Sequence, residues 1–147
     1  MTRRRRVTLD AVRADSSSET LVLDYPSAPP YVVRVWRGTD PDPASYPATD
    51  LFAALLQLRL DLEADGLLLC CQGARGDVTS SGMERQAGGH QVFPFTPATR
   101  EVRHAEAVDI FAPAAPDQVV TVEEQRRAVF ALHGLTDDTI TRHPGDR

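Results

Sequence analysis

The residue types best suited to chemistry lie in one glycine-punctuated segment, residues 72–90, which reads QGARGDVTSSGMERQAGGH. Each of its two arginines can present a planar guanidinium group to a carboxylate or a phosphate. Its glycines permit close backbone approach and positive φ angles. Long irregular segments within a compact domain are often functional. We therefore predict that this segment is a contact surface for a partner or a small anion, with these binding residues: Arg75, Asp77, Ser81, Met83, Arg85 and Gln86.

The same segment also has a purely structural interpretation. In that interpretation Arg75 pairs with Asp77 or Glu84, Met83 fills the core, and the glycines only turn the chain. Arginine and glycine in a loop are weakly specific indicators of function, so spacing alone favours the structural interpretation. Both interpretations stay open at the level of sequence.

Two adjacent cysteines and scattered histidines are the other candidates for catalysis. Cys70 or Cys71 with His90 or His104 could form a nucleophile and a base. The cysteines, however, lie in an apolar run, where a thiol is more often an inert hydrophobe and burial raises its pKa. They also lack the spaced pairs of a zinc site, and the serines lack a Gly-x-Ser-x-Gly turn. We therefore predict no catalytic residue, no metal and no cofactor.

Composition indicates a folded globular domain. The 147 residues suffice to bury a core, and 41% are hydrophobic and 25% charged. The net charge of -5 argues against nucleic acid as a partner. An arginine run at positions 3–6 could be a basic arm for nucleic acid or anionic lipid, but it better fits the solvated start of a strand.

The sequence also indicates where the protein works. Lys and Asn are absent while Arg, Ala, Gly and Pro are frequent, which indicates a high-GC bacterial genome. No apolar run approaches the roughly 20 residues of a membrane span. The apolar stretch that a signal peptide requires does not follow the arginines. We expect a cytoplasmic protein with reduced cysteines and no membrane association.

The elements that must position segment 72–90 can be predicted from hydrophobic periodicity. Alternating residues at 7–12 and 21–25 and a valine-rich run at 31–37 predict three antiparallel strands, followed by a loop over 38–47. Leucines at helical spacing predict a helix over 51–65, capped by Thr49, preceded by Asp50 and stopped by Gly66. The apolar run 67–71 predicts a strand in the middle of the sheet.

After the irregular segment, short strands are predicted at 91–95 and 107–111. Thr121 and Glu124 have the spacing of a capping box and predict a second helix that ends before Gly134. We predict a single α+β domain over residues 1–147, with a flexible tail at 136–147. Its fold would be a mostly antiparallel sheet of about six strands with two packed helices, in the order β-β-β-α-β-β-β-α.

The segment also carries a resemblance. Gly-Ala-Arg-x-Asp-Val-x-x-Ser-Gly-Met-x-Arg-Gln, beginning at Gly73, resembles a loop motif of small uncharacterised bacterial proteins, some of which are similar to immunity proteins of contact-dependent or polymorphic toxin systems. The resemblance implies a cytoplasmic protein that binds and neutralises a toxin domain. An acidic chain would suit a basic, nuclease-like toxin. The alternative function is an enzyme or small-anion binder that uses Arg75, Asp77 and Arg85 in a cleft.

Overall fold

The computed structural model describes residues 3–135, which form an α+β fold of antiparallel sheets and three helices. The helices are α1 Leu51–Ala64, α2 Gly82–Gln86 and α3 Val122–Leu132. The strands are β1 Arg4–Val12, β2 Ser18–Pro26, β3 Tyr31–Arg37, β4 Ala44–Ala48, β5 Leu68–Leu69, β6 Val78–Thr79, β7 Gln91–Thr96, β8 Glu101–Val102 and β9 Val108–Asp109. In this part of the chain no helix is long and apolar enough to cross a membrane.

The first sheet has the order β4-β3-β2-β1-β5, and its central strands form the predicted antiparallel meander. β1 and β2 pair along their whole length, from Arg4 opposite Pro26 to Val12 opposite Ser18. The period-two pattern is confirmed because alternate residues of these strands face the core, namely Leu9, Ala11, Leu21, Leu23 and Tyr25. The arginine run does lead into β1, as predicted.

Helix α1 covers one face of the first sheet. Its apolar stripe is buried as its spacing predicts, since Leu51, Leu55, Leu58 and Leu62 are all inaccessible to solvent. The helix cap differs from the prediction, because Asp50 rather than Thr49 accepts a hydrogen bond from the Ala53 amide at 2.7 Å. An aspartate in this position satisfies a free amide and also favours the positive end of the helix dipole.

The apolar run 67–71 does not form a central strand, so that prediction is wrong. Only Leu68 and Leu69 pair, with Val12 and Ala11, and β5 lies at the edge of the sheet. The run is buried because the chain leaves the sheet there and is covered by the second half of the molecule. At this point the backbone of Cys71 forms an isolated antiparallel β-bridge with Pro113. Its continuous hydrophobicity therefore reflects burial between layers and not a place in mid-sheet.

The remaining strands are more numerous than predicted, and β6, β8 and β9 have only two residues each. β7 pairs with β6, β8 and β9 to form a second antiparallel sheet. The predicted loop 38–47 contains the start of β4, an edge strand in which Pro47 is tolerated because one side of the strand needs no partner. The structure thus has nine strands in residues 3–135 where about six were expected.

Helix α3 begins with the predicted capping box. The Glu124 amide donates to the Thr121 hydroxyl at 3.1 Å, and the Thr121 amide donates to the Glu124 carboxylate at 3.0 Å. Gly134 follows the helix with a φ of +77°, the left-handed conformation that a helix end favours. The predicted flexible tail at 136–147 lies outside the described residues.

Candidate functional site

Segment 72–90 is built into the domain through backbone hydrogen bonds at both ends. At its start the Gln72 amide donates to the Ala112 carbonyl at 2.8 Å, and the Gly73 amide donates to the Ile110 carbonyl at 2.9 Å. At its end the Gly88 carbonyl accepts from the Leu51 amide at 2.8 Å, which caps the first turn of α1. The segment contains a 3₁₀ turn, β6 and α2, so it is an ordered part of the domain.

Arg75 is fully engaged by its neighbours in the segment. Its Nε and Nη2 atoms each donate to one oxygen of Asp77 at 2.9 Å, and its Nη1 donates to Gln72 Oε1 at 2.8 Å. Only 15% of the Arg75 side chain is exposed. This pair is the one that the structural interpretation predicts, and an incoming anion would have to displace Asp77 to reach the guanidinium.

Arg85 contacts a different carboxylate. Its Nε lies 3.1 Å from Asp50 Oδ2, and its guanidinium lies 5.4 Å from the centre of the Phe52 ring. Because Asp50 also caps α1, this ion pair joins α2 to the start of that helix. Arg85 keeps 37% of its side chain exposed. Arg75 and Arg85 are therefore each held by a separate carboxylate partner.

The short helix α2 projects from the domain. Ser81 caps it by accepting from the Glu84 amide at 3.0 Å, and Glu84 accepts from the Gln91 amide at 3.0 Å. None of the residues of α2 is buried. Met83 is 83% exposed and Gln86 is exposed as well. The structural interpretation in which Met83 fills the core is therefore wrong for this residue.

An apolar groove of about 250 Å³ lies near α2, although no residue of α2 lines it. Its walls come from the start of α1, from β6 and from α3, and they include Phe52, Leu56, Val78, Ser80, Val129 and Phe130. Phe52 lines the groove and also lies beneath Arg85, so the groove and α2 share a wall. We call α2 together with this groove the α2 surface. The sequence analysis did not identify this groove, whose residues Val129 and Phe130 are both half-buried.

A buried polar cluster supports this surface from below. Arg59, 1% exposed, donates from Nη1 to Gln125 Oε1 at 2.6 Å and from Nη2 to the Val120 carbonyl at 2.9 Å. Gln125 in turn donates to the carbonyls of Gly73 and Arg75 at 2.8 and 2.9 Å. Burial lowers the pKa of Arg59, the negative charge of Glu63 acts in the opposite direction, and carbonyl and amide oxygens accept its hydrogen bonds. The burial of Arg59 could have been predicted from its position, because it directly follows Leu58 in the buried stripe of α1.

The other candidate groups offer no activated chemistry. Cys71 is fully buried, and burial raises the pKa of its thiol to about 12, so thiolate is scarce at neutral pH. Burial also raises the pKa of Cys70. Among residues 3–135 no three His, Cys, Asp or Glu side chains lie close enough together to hold a metal ion.

Comparison with known proteins does not assign this chain to a family. The chain matches no protein family model, and a search of curated proteins found no significantly similar sequence.

Proposed function

We propose that this chain is a protein-binding module that uses the α2 surface, and that its partner is a toxin domain. The observation that supports this most directly is Met83, a large apolar side chain that is 83% exposed at the outermost helix of segment 72–90. Exposed apolar surface is a feature of many interaction sites, and the helix that carries Met83 contacts the groove through Arg85 and Phe52. Methionine adapts its shape readily to a partner.

The contacts that hold α2 in place favour binding because they reduce the conformational entropy that would be lost on association. Ser81 caps α2, Glu84 holds the Gln91 amide, and the Gly89 amide donates to the Glu84 carbonyl at 2.9 Å. The pair between Arg85 and Asp50 fixes the same helix to α1. A surface that is already ordered spends less of its interaction energy on immobilisation.

The groove beside α2 supplies a second feature of a protein interface. It is lined mainly by apolar side chains from three elements, with Ser80, Arg126 and His133 providing polar groups. A volume of about 250 Å³ can accept one or two apolar side chains of a partner. Anchors of this kind contribute a large share of binding energy in many interfaces.

The class of partner is inferred from the loop motif and the charge. The motif that begins at Gly73 resembles one in proteins similar to toxin immunity proteins, and the net charge of -5 would attract a basic toxin domain. Long-range attraction of this kind raises the association rate and falls with salt. The partner would contact Met83, Gln86 and the exposed part of Arg85.

The test is co-expression of this chain with the toxic product of the neighbouring gene in its native genome, with bacterial growth as the readout. We expect the native chain to restore growth, and Met83→Glu to weaken toxin binding by about 2 kcal/mol or more, as for other interface anchors. Thr39→Glu is the matched control, because it adds the same charge at an exposed position in the β3–β4 connection. Calorimetry with purified toxin measures the affinities.

Two outcomes would contradict the proposal. In one, the native chain neither restores growth nor binds the toxin. In the other, Met83→Glu and Thr39→Glu bind the toxin with the affinity of the native chain, which would place the contact elsewhere. Circular dichroism of each variant confirms folding, and Met83 is so exposed that its replacement should leave the fold intact.

A further inference from the structure

A separate cavity of about 270 Å³ lies where the two sheets approach each other. One cross-strand pair from each sheet lines it: Arg5 opposite Tyr25 in the first sheet, and Gln91 opposite Asp109 in the second. His90, the last residue of segment 72–90, completes the wall together with Ser27. A few polar side chains that converge on one concave site are a feature of ligand sites.

The cavity carries two opposite charges that do not neutralise each other. In residues 3–135, neither Arg5 nor Asp109 lies within 4.0 Å of an oppositely charged group. One oxygen of Asp109 accepts from the Phe111 amide at 2.7 Å, which fixes the carboxylate, and no hydrogen bond in the described chain uses the other oxygen. A cation and an anion are thus held on one cavity without being paired.

Tyr25 is opposite Arg5 in the first sheet and is also close enough to Asp109 to be affected by its charge. Its ring is fixed against Phe111, with the ring centres 4.3 Å apart. Burial and the negative charge of Asp109 raise the pKa of Tyr25, while Arg5 acts in the opposite direction. The phenol is therefore close enough to both charged groups to sense each of them, and it stays protonated as a hydrogen-bond donor at neutral pH.

The charges and the volume together restrict the ligand. A simple anion would be attracted by Arg5 and repelled by Asp109, and a simple cation would meet the reverse. A volume of about 270 Å³ is just below the usual range for small-molecule sites and favours a small ligand. We propose that the cavity binds a small zwitterion of the α-amino acid type, with its carboxylate on Arg5 and its ammonium group on Asp109.

The remaining polar residues of the wall fit this role. His90, Gln91 and Ser27 can donate or accept hydrogen bonds at positions around the ligand. Charge-assisted hydrogen bonds to both ends of the zwitterion are stronger than neutral ones. The site does not include Met83 or the groove, so it is independent of the proposed protein-binding function.

The experiment is a binding screen of the full chain against the common α-amino acids at millimolar concentration, by calorimetry and thermal unfolding. We expect at least one amino acid to bind and to raise the unfolding temperature. Its N-acetyl derivative lacks the ammonium charge and its methyl ester lacks the carboxylate, so each should bind about tenfold more weakly or worse. Absence of binding by every amino acid would overturn the proposal, as would equal binding of either derivative.

Three variants locate the site. Asp109→Asn keeps the oxygen that accepts from the Phe111 amide and removes only the charge, and Arg5→Gln shortens an exposed side chain. Each should weaken the binding of the amino acid about tenfold or more. Arg6→Gln is the control, because Arg6 lies on the other face of β1, over Trp36. If both cavity variants bind as the native chain does, or if Arg6→Gln loses as much affinity as they do, the site is wrong.

Discussion

Residues 4–48 and residues 67–135 are both rich in antiparallel strands, but their strands are paired to very different extents. In the first region β1 and β2 pair along nine positions, and β3 and β4 continue the same sheet. In the second region β6, β8 and β9 each contribute two paired residues to β7. Two isolated bridges, from Cys71 to Pro113 and from Arg75 to Val119, supplement that sheet.

The two regions therefore depend on different kinds of interaction. The first is held by a long ladder and by redundant ion pairs, since Asp24 contacts Arg4, Arg6 and Arg34 together. The second relies on a few side chains that satisfy its buried backbone groups, above all its own Gln125 and Arg59 of α1. From this comparison we expect a single substitution to lower the free energy of unfolding more where one buried side chain satisfies the backbone than where a ladder of paired strands does.

The largest effect is expected from Arg59→Met. Methionine preserves much of the buried volume but leaves the Val120 carbonyl and Gln125 without their donor, so unfolding free energy should fall by about 3 kcal/mol or more. Arg34→Met is the matched control in the first region, where the expected loss is below about 1 kcal/mol because this side chain is 41% exposed and Asp24 keeps other partners. Urea unfolding measures both, and equal losses would remove the contrast between the regions.

A smaller effect is expected from Gly73→Ala, at the point where the second region begins. A methyl group there would lie 2.6 Å from Leu55 Cδ2 and 3.0 Å from Ile110 Cβ, so the buried Leu55 side chain must move and Ile110 must give way slightly, at a cost of about 1–3 kcal/mol. Gly82→Ala meets no atom within 4 Å and should change stability by about 0.5 kcal/mol or less. Thermal unfolding compares the two, and a stable Gly73→Ala protein would show that this junction is loosely packed.

The smallest effect concerns an ion pair of the first region. Hydrogen bonds from Arg13, and from Arg37, lower the pKa of Glu19 in the folded state, so its stabilisation is present above about pH 4.5 and is lost as the pH falls through the folded pKa. Glu19→Gln should reduce stability near pH 7 by about 1 kcal/mol or less. The urea midpoints of the two proteins should converge at acidic pH, and a gap that persists there would assign the loss to packing.

The parts of the fold that sequence predicts are those with a local signal. The meander follows from alternation in neighbouring strands, and α3 follows from the Thr121 and Glu124 capping box. The leucine stripe of α1 likewise identifies its buried face. Each of these patterns is contained in a short stretch of chain, so no knowledge of distant contacts is needed.

The parts that sequence does not predict depend on distant contacts. The two-residue strands β6, β8 and β9 exist only because β7 is beside them, and β5 lies at an edge because the second half of the chain covers it. In the candidate site, the pair between Arg75 and Asp77 is local and can be predicted from sequence, whereas the pair between Arg85 and Asp50 joins residues 35 positions apart. The exposure of Met83 also depends on where the rest of the fold places α2, which has no buried residue.

The burial of Cys71 makes this thiol a natural reporter of how the two regions come apart. Cys71 lies where the chain passes from one region to the other, and its backbone forms a β-bridge with Pro113. Because its thiol is fully buried, alkylating reagents can modify it only after the surrounding structure opens. Labelling that is faster than global unfolding would mean that residues 67–135 detach while the meander stays folded. Labelling at the rate of global unfolding would mean that the strand ladder of the first region and the side-chain hydrogen bonds of the second region are lost in the same step.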